Sequence, residues 1–132
     1  MKKKKILIVD DEVDMLRILR RTLSIAGYSV IKTTNGKDAI IRAKKEHPNL
    51  IILDIAMPDM GGGETANILK NDPSTKDIPI IFLTCLLTKD EEEKDIGSSY
   101  FVAKPYDPDK LLKEVSKHLE DCSEKEKDID YR

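Results

Sequence analysis

Short apolar runs alternate with amphipathic stretches along the chain. Five runs stand out, at residues 5–9, 29–33, 50–53, 78–83 and 100–103. Several are nearly unbroken in Ile, Leu and Val, the pattern of strands buried on both faces of a parallel sheet. Between the runs the spacing becomes helical. Leu16, Leu19, Leu23 and Ala26 share one face, Arg17, Arg20 and Arg21 fall largely outside it, and Gly27 offers a stop. Residues 37–46 read as a second helix, entered at Asn35-Gly36 and ended before Pro48. Residues 64–70 read as a third, stopped by Asn71-Asp72-Pro73. Near the end, Asp107 is placed as an N-cap with Pro108 at the first helical position, and Leu112, Val115 and Leu119 make that helix's core face.

A further short helix, weakly patterned, falls somewhere in residues 88–96. The strict alternation predicts an α/β fold with a parallel sheet and right-handed crossovers. One domain over residues 1–120 accounts for all of it. Residues 121–132 read as a charged tail or linker stub, frayed over the polar stretch 123–132.

Composition narrows the functional classes. The chain is 39% hydrophobic and 36% charged, which fits a charged globular domain rather than a disordered one. With 23 basic and 25 acidic residues the net charge is −2, so there is no electrostatic footprint for nucleic acid or an anionic membrane. The basic run at residues 2–5 is followed by only four apolar residues before Asp10 and Asp11, too few for an export signal. Nothing approaches a bilayer span. Cys85 and Cys122 have neither disulfide-framework nor zinc-site spacing. These features together point to a cytoplasmic protein.

In open α/β sheets, ligands sit at the carboxyl ends of the strands, near the point where strand order reverses. Asp10 and Asp11 follow the first run, Asp54 the third, Thr84 the fourth and Lys104 the fifth. If the first and third strands are neighbours, three carboxylates converge. Such a cluster repels itself and persists cheaply only with a cation. An all-oxygen site partly open to water suits Mg²⁺, which favours phosphate-bearing partners. Lys104 adds a positive charge and Thr84 a hydroxyl on the same rim. These parts match phosphoryl transfer, with an in-line nucleophile and neutralised equatorial oxygens. Each residue alone has a plainer explanation, and Asp10-Asp11-Glu12 taken alone is better read as a helix cap. The set of them favours chemistry.

The residues that carry this pattern also carry a resemblance. Ile6-Leu7-Ile8-Val9-Asp10-Asp11-Glu12, the stretch Leu53-Asp54-Ile55-Ala56-Met57-Pro58 onward to Gly62, then Leu83-Thr84, then Phe101-Val102-Ala103-Lys104-Pro105 resemble, in order, the signatures of response-regulator receiver domains. The resemblance implies a five-stranded, doubly wound, flavodoxin-like sheet in the order 2-1-3-4-5 with helices on both faces, the order for which a receiver domain is itself a standard example. It makes Asp54 the acceptor of a phosphoryl group from a sensor histidine kinase or phosphotransfer protein. Asp11, Asp54 and the backbone carbonyl of Ala56 would hold Mg²⁺, with Asp10 acting through water. Lys104 would pair with the acceptor carboxylate and then the phosphoryl group. Thr84 and Phe101 would form the switch, and the Lys104-Pro105 bond would be cis. The output surface implied is the weak helix, the fifth strand and the last helix, facing a downstream protein or a further C-terminal domain, with no direct nucleic-acid or membrane contact.

Several residues depart from the family pattern. Cys85 stands where Ala or Gly is usual, and residues 84–104 are about two residues short, a loss placed before Gly97. Tyr100 beside Phe101 competes for the switch position. Ala56 and Leu86 replace polar groups that position a hydrolytic water, which predicts slow phosphate loss. Gly61-Gly62-Gly63 reads as a mobile entrance to the third helix. Two other functions compete with the switch. A phosphohydrolase of the haloacid-dehalogenase type needs a second Asp where this chain has Ala56, so turnover catalysis is not expected. A phosphorylation-independent interaction module would keep the fold without the chemistry.

Overall fold

The structure, a computed structural model, describes residues 3–55, 57, 60–84, 99–103 and 107–130, with the backbone alone described at 84, 99–103 and 120–130. Five parallel strands form one sheet in the order β2-β1-β3-β4-β5. They are β1 (Lys5–Val9), β2 (Ser29–Thr33), β3 (Leu50–Asp54), β4 (Ile80–Thr84) and β5 (Ser99–Ala103). The helices are α1 (Val13–Ile25), α2 (Gly36–Glu46), α3 (Gly62–Asn71) and α4 (Pro108–Asp130). The expected short helix in residues 88–96, Gly97 included, lies outside the described residues.

The three inner strands, β1, β3 and β4, are the most apolar. Ile6, Leu7 and Ile8 on β1 and Leu50 to Leu53 on β3 are fully buried, because helices cover both sheet faces. On one face Leu16, Leu19 and Leu23 of α1 meet Leu111, Val115 and Leu119 of α4 over Ile6, Ile8 and Ile52. On the other, Ala39 and Ala43 of α2 and Ala66 and Leu69 of α3 lie over Leu7, Val9, Ile51 and Leu53. Leu111, rather than the expected Leu112, joins Val115 as a fully buried side chain of α4; Leu112 is only partly buried.

Local chemistry sets the element ends. Gly27 takes φ +100° just past α1, with its N–H on the Ser24 carbonyl (3.0 Å) and the Tyr28 N–H on the Leu23 carbonyl (3.1 Å). These are the two bonds of a Schellman ending, which needs a residue free to adopt positive φ. Asn35 caps α2, its Oδ1 accepting the Asp38 N–H at 2.9 Å. At α4 the Asp109 N–H donates to Asp107 Oδ1 (3.0 Å), with Pro108 supplying the first helical residue. The fourth strand starts at Ile80 rather than at residue 78, because Ile78 still turns back to donate to the Thr75 carbonyl (3.0 Å) and Pro79 has no N–H to give.

α4 continues to Asp130, so residues 123–130 are helical rather than frayed. Their Lys and Glu are good helix formers, and no Gly or Pro interrupts them. After α3, Asp72 accepts from the Ser74 hydroxyl (2.7 Å) and N–H (2.9 Å) and pairs with Lys44 of α2 at 2.9 Å. Those hydrogen bonds, the Ser74 hydroxyl first, pull its carboxyl down to about 2. Lys70 donates to the Ile78 carbonyl (2.8 Å), and its burial lowers the ammonium below its ordinary range against the opposing pull of Asp77. No helix of the described residues is long and apolar enough to cross a membrane.

Candidate metal and phosphoryl site

At the carboxyl end of β1 the chain leaves the sheet through Asp10. Its N–H donates to the Thr33 carbonyl (3.2 Å), which extends the β1–β2 ladder by one bond and buries the residue completely. Thr33 is tied back by its hydroxyl, which donates to the Ile8 carbonyl at 3.1 Å. The Asp10 carboxylate accepts the Glu12 N–H at 2.9 Å and so shapes the turn into α1. Glu12 is the N-cap residue, yet its side chain makes no capping bond. The capping role that the triplet suggested is therefore only partly present, and it belongs to Asp10. Asp11, between them, is exposed.

Asp54 ends β3 one strand away and is 3% exposed. Carboxylate oxygens of Asp10, Asp11 and Asp54 lie within 4.8 Å of one another. Parallel pairing of β1 with β3, in the register Val9↔Leu53, brings this about, since it sets both exits at one edge. Two buried carboxyl groups beside one exposed carboxyl group make an all-oxygen donor set that is open to water on one side. That set fits a hard divalent ion such as Mg²⁺, which retains waters, and does not fit a softer metal that prefers nitrogen or sulfur.

Backbone register carries the other strand ends to the same rim. Asp54 pairs with Leu83, and Thr84 pairs with Ala103, the residue before Lys104. Phe101 sits in register with Phe82, two residues deeper than the Thr84–Ala103 pair. Ala56, Cys85, Leu86, Lys104 and Pro105 lie outside the described residues, as do the side chains of Thr84, Tyr100 and Phe101.

The structure adds a residue to the site that the sequence reading placed differently. Ile55 donates to the Leu83 carbonyl (3.1 Å), and its own carbonyl accepts the N–H groups of Met57 (3.1 Å) and Gly62 (3.0 Å). The first residue of α3 is thereby pressed against the segment that carries Asp54. A Cβ on Gly62 would strike the Asp54 carbonyl and stand 2.7 Å from the Ile55 Cα. Gly63 has nothing within 4 Å of that position, and Gly61 meets only the Ile55 carbonyl at 3.6 Å. The glycine triplet is thus unequal: Gly62 permits a close backbone approach that holds the segment carrying Asp54, instead of simply loosening a helix entrance. Three glycines at a strand-to-helix turn were the available signal, but only the fold shows which one is crowded.

Comparison with known proteins agrees with this arrangement. A family profile described as the response regulator receiver domain matches residues 6–116. The polar-differentiation response regulator DivK of Brucella ovis is 30% identical over 121 residues, covering 90% of this chain and 98% of DivK. The protein named "Probable transcriptional regulator ycf27" of Porphyridium aerugineum is 39% identical over 113 residues, covering 84% of this chain and 46% of that protein. This chain therefore spans less than half the length of that relative. Among solved structures, chemotaxis protein CheY4 of Vibrio cholerae superposes with a TM-score of 0.80 at 31% identity, covering 89% of this chain and all of CheY4.

Proposed function

This chain belongs to the family of response-regulator receiver domains of two-component signalling, and on that premise we propose that it is a phosphorylation-controlled switch whose acceptor is Asp54. The observation that carries the proposal is the meeting of Asp10, Asp11 and Asp54 within 4.8 Å at the carboxyl edge of β1 and β3. Receiver domains bind Mg²⁺ at an acidic pocket of this kind. Here Asp11 and Asp54 would hold the ion together with the Ala56 carbonyl, and Asp10 would hold its water. The ion neutralises charge on the transferring group when bound.

An oxygen of the Asp54 carboxylate attacks phosphorus, forming a P–O bond as the P–N bond to a phosphohistidine of a sensor kinase or phosphotransfer protein breaks. The departing imidazole nitrogen takes up a proton. Lys104 balances the negative charge at the acceptor, first on the carboxylate and then on the phosphoryl oxygens. Thr84 bonds a phosphoryl oxygen, and Phe101 turns into the space vacated. That change biases the partner-binding face formed by β5 and α4. The partner is a downstream protein or a further domain, and the setting is cytoplasmic. The chain performs this chemistry on itself and turns over no separate substrate.

Incubation of the chain with Mg²⁺ and acetyl phosphate tests the reading. The expected result is a mass gain of one phosphoryl group, lost with EDTA and in Asp54→Ala. An unchanged mass in the wild-type chain would leave the phosphorylation-independent module as the better account, and multiple turnover of a phosphoester would favour a hydrolase. Once formed, the phosphate should leave slowly, because neither Ala56 nor Leu86 can hydrogen-bond a water. A phosphorylated lifetime of only seconds in Mg²⁺ buffer would refute that part.

A further inference from the structure

We propose that the open edge of β2, with the depressions on either side of it, is a docking site for an extended acidic segment of a partner protein. β2 is the outermost strand of the sheet, and among the described residues it pairs only with β1. In a parallel ladder alternate residues direct their N–H and C=O to one neighbour. The Ser29 N–H donates to the Lys4 carbonyl (2.9 Å) and the Thr33 carbonyl accepts from Asp10 (3.2 Å), so Ser29, Ile31 and Thr33 serve β1. Val30 and Lys32 consequently present their N–H and C=O groups outward, as a template for one more strand.

An added strand would find a receptacle on each side. Toward α1, a depression of about 500 Å³ is lined by Val13, Arg17, Arg20, Lys32 and Thr34. Toward α2, one of about 330 Å³ is lined by Lys32, Thr34, Asp38, Ile41 and Arg42. Successive side chains of an extended segment point to opposite sides, so one segment can fill both.

The chemistry of the walls selects the occupant. Arg17, Arg20 and Lys32 converge on the α1 side, all exposed. Among the described residues the ion-pair partner there is Asp14, 3.9 Å from Arg17 with both groups mostly in water, which is worth little. Arg20 and Lys32 have no ion-pair partner among the described residues. On the α2 side Asp38 is engaged by the Asn35 amide (3.0 Å) and Arg42 by Glu46 (3.3 Å), which leaves Ile41, 61% exposed, as the open contact. Carboxylates on one side of the segment and apolar groups on the other meet these walls. A second copy of this chain does not, because pairing β2 with β2 would bring two sets of Arg17, Arg20 and Lys32 together. Lys32 alone would suffice to blunt an edge; cations on the flanking helix as well make the edge selective for acid. The proposal is independent of whether Asp54 is phosphorylated.

The test uses the full chain, labelled with ¹⁵N, and two blocked hexapeptides, Val-Glu-Val-Glu-Val-Glu and its Val-Lys counterpart. The Glu peptide is expected to shift the amides of Val30, Lys32 and Thr34 and to slow exchange at Val30 and Lys32, while the Lys peptide does neither. In an Arg20→Glu/Lys32→Glu double variant, binding should weaken about tenfold, the effect of reversing two exposed charges. An unchanged thermal midpoint in that variant shows that the fold is intact. Equal binding of the two peptides, or shifts that leave Val30 and Lys32 untouched, would overturn the proposal. So would protection of those amides that rises with protein concentration alone, which would assign the edge to a second copy.

Discussion

The two faces of the sheet are held by different means. Over one face, α1 and α4 meet through large branched side chains, Leu16, Leu19, Leu23, Leu111 and Val115. Over the other, α2 and α3 present the small residues Ala39, Ala43 and Ala66 beside Leu69, Gly36 is crowded by Thr65 of α3, and Gly62 by the Asp54–Ile55 backbone. The first face is stabilised by volume and the second by proximity, so each has its own way to fail. Deleting atoms damages the leucine face, where a cavity is left behind. Adding atoms damages the alanine–glycine face, where backbone would have to move. Proximity also reaches the carboxylate site, because Gly62 lies against the backbone that carries Asp54.

Four substitutions probe this contrast, in decreasing order of expected effect. Leu19→Ala, fully buried on the α1 face, should lower unfolding free energy by about 2–5 kcal/mol in a denaturant titration. Its phosphorylation by acetyl phosphate should be unchanged under conditions where it is folded. Gly62→Ala should lose about 1–3 kcal/mol from overpacking and, unlike Leu19→Ala, should also slow phosphorylation of the folded protein. If the two variants lose activity alike, the distinction between the faces fails.

Gly63→Ala should be neutral or stabilising by about 0.5–1 kcal/mol, since open space surrounds the added methyl group and the unfolded chain is stiffened. A loss comparable to that of Gly62→Ala in the same titration would show the crowding argument to be wrong. Asp72→Asn should give the smallest change. The Asp72 carboxyl is held at about 2, below its ordinary 3.8, so its stabilisation is present above about pH 4 and lost as pH falls toward 2. The variant should therefore flatten the acid side of the melting-temperature profile and leave phosphorylation intact.

Much of this was legible from residue order. Alternating apolar runs and helical spacing identify the parallel α/β plan, because strands covered on both faces must be apolar throughout. Asn35, Gly27 and Asp107-Pro108 mark element ends by chemistry that acts within a few residues. Differences arose where longer-range packing decides and where helix propensity outlasts the apolar stripe. Leu111 and Leu112 both fit a helical stripe, and only the placement of α4 on the sheet selects Leu111. The α4 helix runs past residue 120 because helix propensity continues where the apolar stripe stops.

For the site, sequence alone determined which groups stand at the strand ends: Asp10, Asp11, Asp54 and Thr84. Side-chain chemistry and the two-residue period of a strand are local properties. Tertiary structure alone decided that β1 and β3 are neighbours, that three carboxylates therefore fall within 4.8 Å, and that Gly62 rather than Gly63 touches the segment carrying Asp54. It also decided that β2, among the described residues, pairs only with β1 and lies between two depressions, the one toward α1 lined by Arg17, Arg20 and Lys32. These are matters of distance between residues far apart in the chain, and packing, which no local pattern encodes, sets them.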